Sequence, residues 1–211
     1  MDNIETKYVK ESYNLIAKDF DRTRYNHWSS VKKFIESLPK NSLILDAGCG
    51  NGKNMSFENM QFIGCDISEN LIEICRKKGL NVILSSIVKM PFQDNFFDAV
   101  ISIAVLHHIY KQDDLVNALK EIIRVLKQDG LIHFTVWARE QELTEKFIPI
   151  DDNGNYFVTW KDKDTREIIN QRFYHLFSRK EIDNLLKLII GIEIIDISYE
   201  HDNWDVTLKK I

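Results

Sequence analysis

The feature that most constrains this chain is the run Asp46-Ala47-Gly48-Cys49-Gly50-Asn51-Gly52. Three of the chain's eight glycines fall within five positions, directly after the apolar stretch Leu43-Ile44-Leu45. Glycine reaches positive φ without penalty and lets a ligand approach backbone with no Cβ in the way. An apolar run ending in such a turn predicts a strand buried on both faces, as in a parallel sheet. In open α/β sheets, ligands sit at the carboxyl ends of the strands, near the point where strand order reverses. Two phosphate-binding registers fail. The dinucleotide pattern G-x-G-x-x-G is met at Gly48 and Gly50, but Lys53 fills the third slot. The mononucleotide loop fails because Gly52-Lys53 is followed by Asn54 at the wrong glycine spacing. What remains is D-x-G-x-G-x-G.

The rest of the chain supplies a setting for that turn. Residues 5 to 37 read as helical, with Pro39 closing the region. Further strands are predicted at Gln61–Asp66, Asn81–Leu84, Phe97–Ile103 and Leu131–Trp137. A helix runs from Glu69 to Lys78, N-capped by Ser68 and stopped by Gly79. An amphipathic helix over 113–127 carries Leu115, Ala118, Leu119, Ile122 and Leu126 on one face and ends at Gly130. Strands alternating with helices predict a doubly wound α/β sheet. Residues 139–178 break the alternation and read as an insertion. A helix over 179–189 follows, and Ile192–Tyr199 and Trp204–Lys210 close the chain as a hairpin around His201-Asp202-Asn203.

Length and composition narrow the options. The 211 residues suit one domain, 1–211, with an N-terminal helical cap over 1–38. No apolar run approaches the roughly 20 residues of a membrane span. The charged start predicts no signal peptide. Cys49, Cys65 and Cys75 are odd in number and at no metal spacing, which predicts reduced thiols in the cytoplasm and no metal site. A net charge of −4 argues against a large nucleic-acid footprint on the chain itself. Lys161, Lys163, Arg166, Arg172, Arg179 and Lys180 give the insertion a basic tendency, with acids interleaved.

The glycine turn looks like the S-adenosylmethionine loop of class I methyltransferases. Asp66, closing the second strand, fits the same ligand, because a carboxylate there accepts hydrogen bonds from ribose hydroxyls; a plain helix cap is the alternative. In order, the strings "YNLIAKDFDRTRY", "LDAGCGNGK", "GCDIS", "MPFQDNFFDAVISIAVLHHI", "VWAREQ", "RFYHLF" and "DNWDV" resemble the tRNA wobble-uridine carboxymethyl methyltransferases over nearly the whole chain. That resemblance implies a mostly parallel, seven-stranded, Rossmann-like sheet with a C-terminal antiparallel hairpin. It also implies S-adenosyl-L-methionine as cofactor and methyl esterification of 5-carboxymethyluridine in the tRNA anticodon loop. Cofactor contacts then fall to Asp46, Gly48, Cys49, Gly50, Asn51, Gly52, Asp66, Ile67, Ser86, Ile87 and Ala104. Ser86 stands where the family places an acid, and Gln128-Asp129-Gly130 replaces its Pro-Gly-Gly. A small zinc-binding activator protein is implied on the sheet edge, here Asn81–Leu84. Two rivals are a methyltransferase for a small metabolite carboxylate and a cofactor-dead binding module.

The implied nucleophile is itself a carboxylate, of pKa roughly 4, so it needs no general base at neutral pH. It needs positioning, and a dry pocket favours a transition state in which anion and cation neutralise each other. One arginine clamp is expected: Arg24 first, Arg172 second, with surface arginines as the alternative. Of the paired histidines after the fourth strand, one is expected to orient the substrate and the other to pack under the loop; His107 is the candidate for the ligand, with a structural role as the alternative. Trp137, Tyr174, His175 and Trp204 are candidates to hold the substrate base. Trp28 and Trp160 are weighed as further stacking faces or as core fillers.

Overall fold

The computed structural model describes residues 3–162 and 165–211, so Lys163 of the basic stretch lies outside the described residues. A short helix α1 (Asn3–Glu5), a π-helical segment (Thr6–Lys10) and α2 (Glu11–Thr23) run on from one another. Then come α3 (Ser29–Ser37), β1 (Leu43–Ala47), β2 (Gln61–Asp66), α4 (Glu69–Lys77), β3 (Val82–Leu84), β4 (Phe97–Ile103) and α5 (Gln112–Val125). After them follow β5 (Leu126–Trp137), β6 (Phe147–Pro149), β7 (Asn155–Lys161), β8 (Ile168–His175), α6 (Arg179–Lys187), β9 (Ile192–Glu200) and β10 (Asn203–Lys210).

Seven strands form one sheet in the order β3-β2-β1-β4-β5-β10-β9. The first five run parallel, and β10 is antiparallel to both β5 and β9. The order reverses between β1 and β4, which opens a crevice at their carboxyl ends. The β9–β10 turn uses His201 (φ 48°) and Asp202 (φ 62°), the doubly left-handed pair that matches strand twist in a two-residue hairpin.

Both faces of the sheet are covered, as its apolar strands require. On one side α5 and α6 bury Leu119, Ile122, Ile182 and Leu185 against Val100, Ile132 and Phe134. On the other, α3 sets Val31, Phe34 and Ile35 on Ile44, Ala99 and Ile101. Ser68 caps α4 as its sequence predicts, accepting from the Leu71 amide at 3.2 Å. The α5 boundary differs from the sequence expectation. The helix ends at Val125, and the left-handed residue is Asp129 (φ 63°) rather than Gly130. Gly130 is there for space: a Cβ would lie 2.9 Å from the Asp98 carbonyl oxygen and 2.7 Å from the Leu126 side chain.

The region read as an insertion folds into a second sheet, β6-β7-β8, antiparallel throughout. α2 lies between this sheet and α4. Tyr13, Ile16 and Ala17 pack with Leu71, Trp160 and Phe173, and Ser12 Oγ donates to the Gln171 carbonyl at 2.8 Å. That packing roofs the crevice.

Candidate active site

Beneath the roof lies a cavity of about 550 Å³ running from the glycine turn to the second sheet. Its first end is built by the backbone. Gly48, Gly50 and Gly52 all have positive φ (86°, 55° and 76°). A Cβ on Gly48 would run into the Val105 side chain, and one on Gly52 into Leu80 and Cys75. The amides of Gly48 and Cys49 both donate to the Cys65 carbonyl at the end of β2 (2.8 and 2.9 Å). Asp66 ties the turn down: Oδ2 accepts from the Gly50 amide and Oδ1 from the Ser68 amide, each at 2.9 Å. Burial pushes the Asp66 carboxyl up, against the amides that hold it ionised. Ala104, directly after β4, is held at φ 59° by its amide bonds to the Thr135 carbonyl and hydroxyl (3.1 and 3.0 Å). A left-handed non-glycine residue on a cavity wall is strain located at a site.

Asp46 stands behind the turn, fully buried, and neither carboxylate oxygen has a hydrogen-bond partner. Burial, with Asp66 adding to it, raises its carboxyl to about 7. Lys53 lies on the wall nearby, its ammonium lowered by burial and by Arg24. Arg24 is exposed at the end of α2, its guanidinium 5.3 Å from the Trp160 ring centroid. Asn51 Nδ2 donates to the Arg24 carbonyl at 2.8 Å, which keeps this arginine beside the glycine turn.

The wall formed by the second sheet is different. Arg172, on β8, is 6% exposed, and no carboxylate lies within ion-pair distance of it among the described residues. Its Nη1 donates to the hydroxyls of Tyr174 (2.7 Å) and Tyr13 (3.4 Å), and its Nε has no partner. The guanidinium lies 4.7 Å from the Trp160 ring centroid. Burial works against its charge, yet the oxygens of Tyr174 and Tyr13 hold the charge up. Tyr13 also contacts His108 Nε2 at 2.8 Å, and His108 Nδ1 contacts the Phe173 carbonyl at 2.7 Å. A carbonyl only accepts, so His108 carries its proton on Nδ1. Burial lowers this imidazole to about 3, so it is neutral and its Nε2 accepts from Tyr13. Lys146 completes this wall, 5.0 Å over the Trp137 ring, its ammonium lowered by burial and by Arg172.

The structure therefore gathers on one cavity Gly48, Cys49, Gly50, Asn51, Asp66, Ile67, Ser86, Ile87, Ala104, Arg24, Arg172, Trp137 and Tyr174. Asp46 and Gly52 support the turn from behind. His107, His175 and Trp204 do not line the cavity. His107 is buried, accepts from the Trp137 amide at 3.2 Å and stacks on Tyr174. His175 contacts Asn155 Oδ1 at 2.8 Å. Trp204 donates to Glu140 and to the Phe177 carbonyl, both at 3.1 Å. Ser86 Oγ accepts from the Val88 amide at 3.2 Å, so it closes a turn on the wall. Sequence reasoning missed Tyr13, Lys53 and Lys146, and gave His108 a packing role only. Tyr13 sits on the apolar stripe of a helix, where its hydroxyl was the one sign of a second task. Trp28 and Trp160 are both on the wall.

Comparison with known proteins agrees with this geometry. Residues 45–134 match a family described as a methyltransferase domain. The chain is 42% identical over 188 residues to a tRNA (carboxymethyluridine(34)-5-O)-methyltransferase of Arabidopsis thaliana, covering 85% of this chain and 46% of that protein. It is 34% identical to the Schizosaccharomyces pombe protein of the same name, covering 98% of this chain and 97% of that one. It thus spans about half the length of the plant relative and nearly all of the yeast one. Among solved structures, a SAM-dependent methyltransferase of Methanosarcina mazei shares the fold, with a TM-score of 0.71 at 20% identity over 88% of this chain and 99% of that one. With its glycine turn, its acid at the end of the second strand and these relatives, the chain belongs to the tRNA (carboxymethyluridine(34)-5-O)-methyltransferase family.

Proposed function

We propose that this protein uses S-adenosyl-L-methionine to methylate the carboxylate of 5-carboxymethyluridine at the wobble position of tRNA. The observation that carries the reading is Arg172: a buried guanidinium, without a carboxylate partner among the described residues, on the wall of the same cavity as the glycine turn. An unpaired buried charge costs several kcal/mol, so a site keeps one for an anion that is not part of the protein.

The residues present suit the cofactor. Gly48 and Gly50 present bare, left-handed backbone on the cavity wall, Asp66 offers its carboxylate to ribose hydroxyls, and Ile67 and Ile87 offer apolar walls to adenine. Ser86, the departure from the family's acid, leaves the adenine edge without a carboxylate from this position. When bound, the cofactor supplies an electrophilic methyl group on a sulfonium. Arg24 and Lys53, the cations beside the turn, suit the cofactor's own carboxylate. Arg172 then takes the substrate's, which reverses the order expected from the sequence. Its Tyr174 and Trp137 neighbours offer faces for the base. The largely apolar walls suit a reaction that removes two charges and moves no proton.

We place the reaction in a single domain, with the N-terminal helices as a cap and residues 139–178 on the substrate side. Three buried, unpaired cysteines suit a reducing cytoplasm. A small zinc-binding activator would find its place at β3, a three-residue edge strand with Leu84 47% exposed.

Nucleoside mass spectrometry of treated tRNA, with and without the zinc-protein partner, tests the reading. Arg172→Met should lower ester formation by at least ~100-fold, the scale of a lost charge-assisted positioning contact, while S-adenosylhomocysteine affinity measured by calorimetry stays within twofold. Arg24→Ala and Asp66→Ala should instead weaken cofactor binding. Normal esterification by Arg172→Met would sink the assignment.

A further inference from the structure

Around Arg172 the cavity presents hydrogen-bond donors, and the reason is a chain of fixed protons; the carboxylates on the wall are engaged elsewhere, Asp19 by Trp160 Nε1 (3.0 Å) and Glu5 by the Tyr110 amide (2.9 Å). His108 spends its one N–H on the Phe173 carbonyl and so must accept at Nε2. Tyr13 therefore spends its proton on His108. The Tyr13 oxygen then faces Arg172 Nη1 and the Tyr174 hydroxyl, each 3.4 Å away, which occupy its lone pairs. Tyr174 accepts from Arg172 at 2.7 Å and directs its own proton to the Tyr13 oxygen at 3.4 Å, a long bond that a ligand oxygen can take over. Arg172 and Lys146 have no acceptor atoms at all. Thr159, on the same wall, keeps a buried hydroxyl without a partner.

Building on the proposed esterification, we infer that this wall is a specificity device: it takes a carboxylate and rejects the carboxamide of the same shape. A carboxylate presents acceptors only and satisfies Arg172 and Tyr174 together. A carboxamide replaces one acceptor by an NH2 group, which would face donors and be buried without a partner, while Arg172 stays without an anion. His108 acts here as a positioning residue, since it reaches the ligand only through the direction of the Tyr13 proton.

The test is binding of anticodon stem-loop RNAs that carry, at the wobble position, 5-carboxymethyluridine, 5-carbamoylmethyluridine or plain uridine, with S-adenosylhomocysteine present. The wild-type chain should prefer acid to amide by about 100-fold, as a site built around fixed polar partners does. Tyr13→Phe uncovers the acceptor at His108 Nε2 for the amide NH2 group, so the acid-to-amide ratio should fall at least tenfold. His108→Asn keeps a donor for the Phe173 carbonyl but frees the Tyr13 proton, so it should lower the ratio in the same direction. A merely structural role would lower affinity for both RNAs together and leave the ratio alone. Acid and amide binding equally, both tighter than uridine, overturns the inference and leaves the esterification reading intact. Equal binding of all three RNAs overturns both. A ratio unchanged in folded Tyr13→Phe and His108→Asn protein overturns the proton-direction argument even if the wild type discriminates.

Discussion

Asp46 has no hydrogen-bond partner in a fully buried position, and that has a measurable consequence. Folded, it keeps its proton up to about 7; unfolded, a carboxyl releases it near 4. Between those values the folded state binds more protons, so its contribution to stability is present at low pH and is lost as pH rises. Asp46→Asn should remove a decline on the order of 3–4 kcal/mol between about pH 4 and 7. His108 works in the opposite direction, its stability lost as pH falls from about 6.5 toward 3. Urea midpoints of the two proteins, subtracted at each pH, isolate the aspartate; parallel curves would contradict the assignment. Arg172 makes a second prediction. Replacing an uncompensated buried charge with an apolar side chain is often stabilising. Arg172→Met should raise stability by about 1–3 kcal/mol in thermal melts while activity is lost. A large loss of stability instead would mean that its bonds to Tyr13 and Tyr174 hold the fold together.

Among the elements, α6 is defined by a reciprocal cap. Ser178 Oγ accepts from the Glu181 amide at 3.3 Å, and Glu181 Oε2 accepts from the Ser178 amide at 2.7 Å. Ser178→Ala should cost about 1 kcal/mol in urea unfolding and leave cofactor affinity unchanged, because α6 packs on the sheet away from the cavity. The edge strand β3 calls for a different test. Leu84→Lys puts a charge on an exposed position that the fold does not need. Stability should change by less than ~0.5 kcal/mol, and co-purification with the proposed zinc-binding partner should be lost. Retained association would move the docking site off this edge. The element boundaries read from the sequence hold where local chemistry sets them, as at Ser68 and at the His201-Asp202 turn. They slip at α5, where tertiary crowding against Leu126 and Asp98 decides what Gly130 is for.

For the molecule as a whole, the proposed function asks an acidic chain to meet an anionic polymer. Of the cations on the cavity wall, Arg172, Lys146, Lys53 and Arg24 are committed to the site itself and Lys161 pairs with Glu145 at 2.7 Å. Over the whole chain 32 acids outnumber 28 lysines and arginines, so the isolated protein should bind tRNA with a shallow salt dependence. A log-log slope of magnitude about 2–3 corresponds to two or three phosphate contacts. Adding the partner should steepen it if the partner supplies the missing phosphate contacts. A steep slope for the chain alone, measured by fluorescence anisotropy across salt concentrations, would show that a basic face has been overlooked.

The glycine turn, Asp66, the parallel strands and the closing hairpin were legible in the sequence by itself, because each depends on neighbours a few residues away: φ > 0 at a glycine, an acid at a strand end, an apolar run between turns. Residues 139–178 lacked that periodicity, so their antiparallel sheet could not be read. The choice between Arg24 and Arg172, and between His107 and His108, belonged to the tertiary structure alone. Each pair offers identical chemistry along the chain. What separates them is burial and the direction of a proton, and both are set by α2 laying Tyr13 against a strand more than 150 residues away.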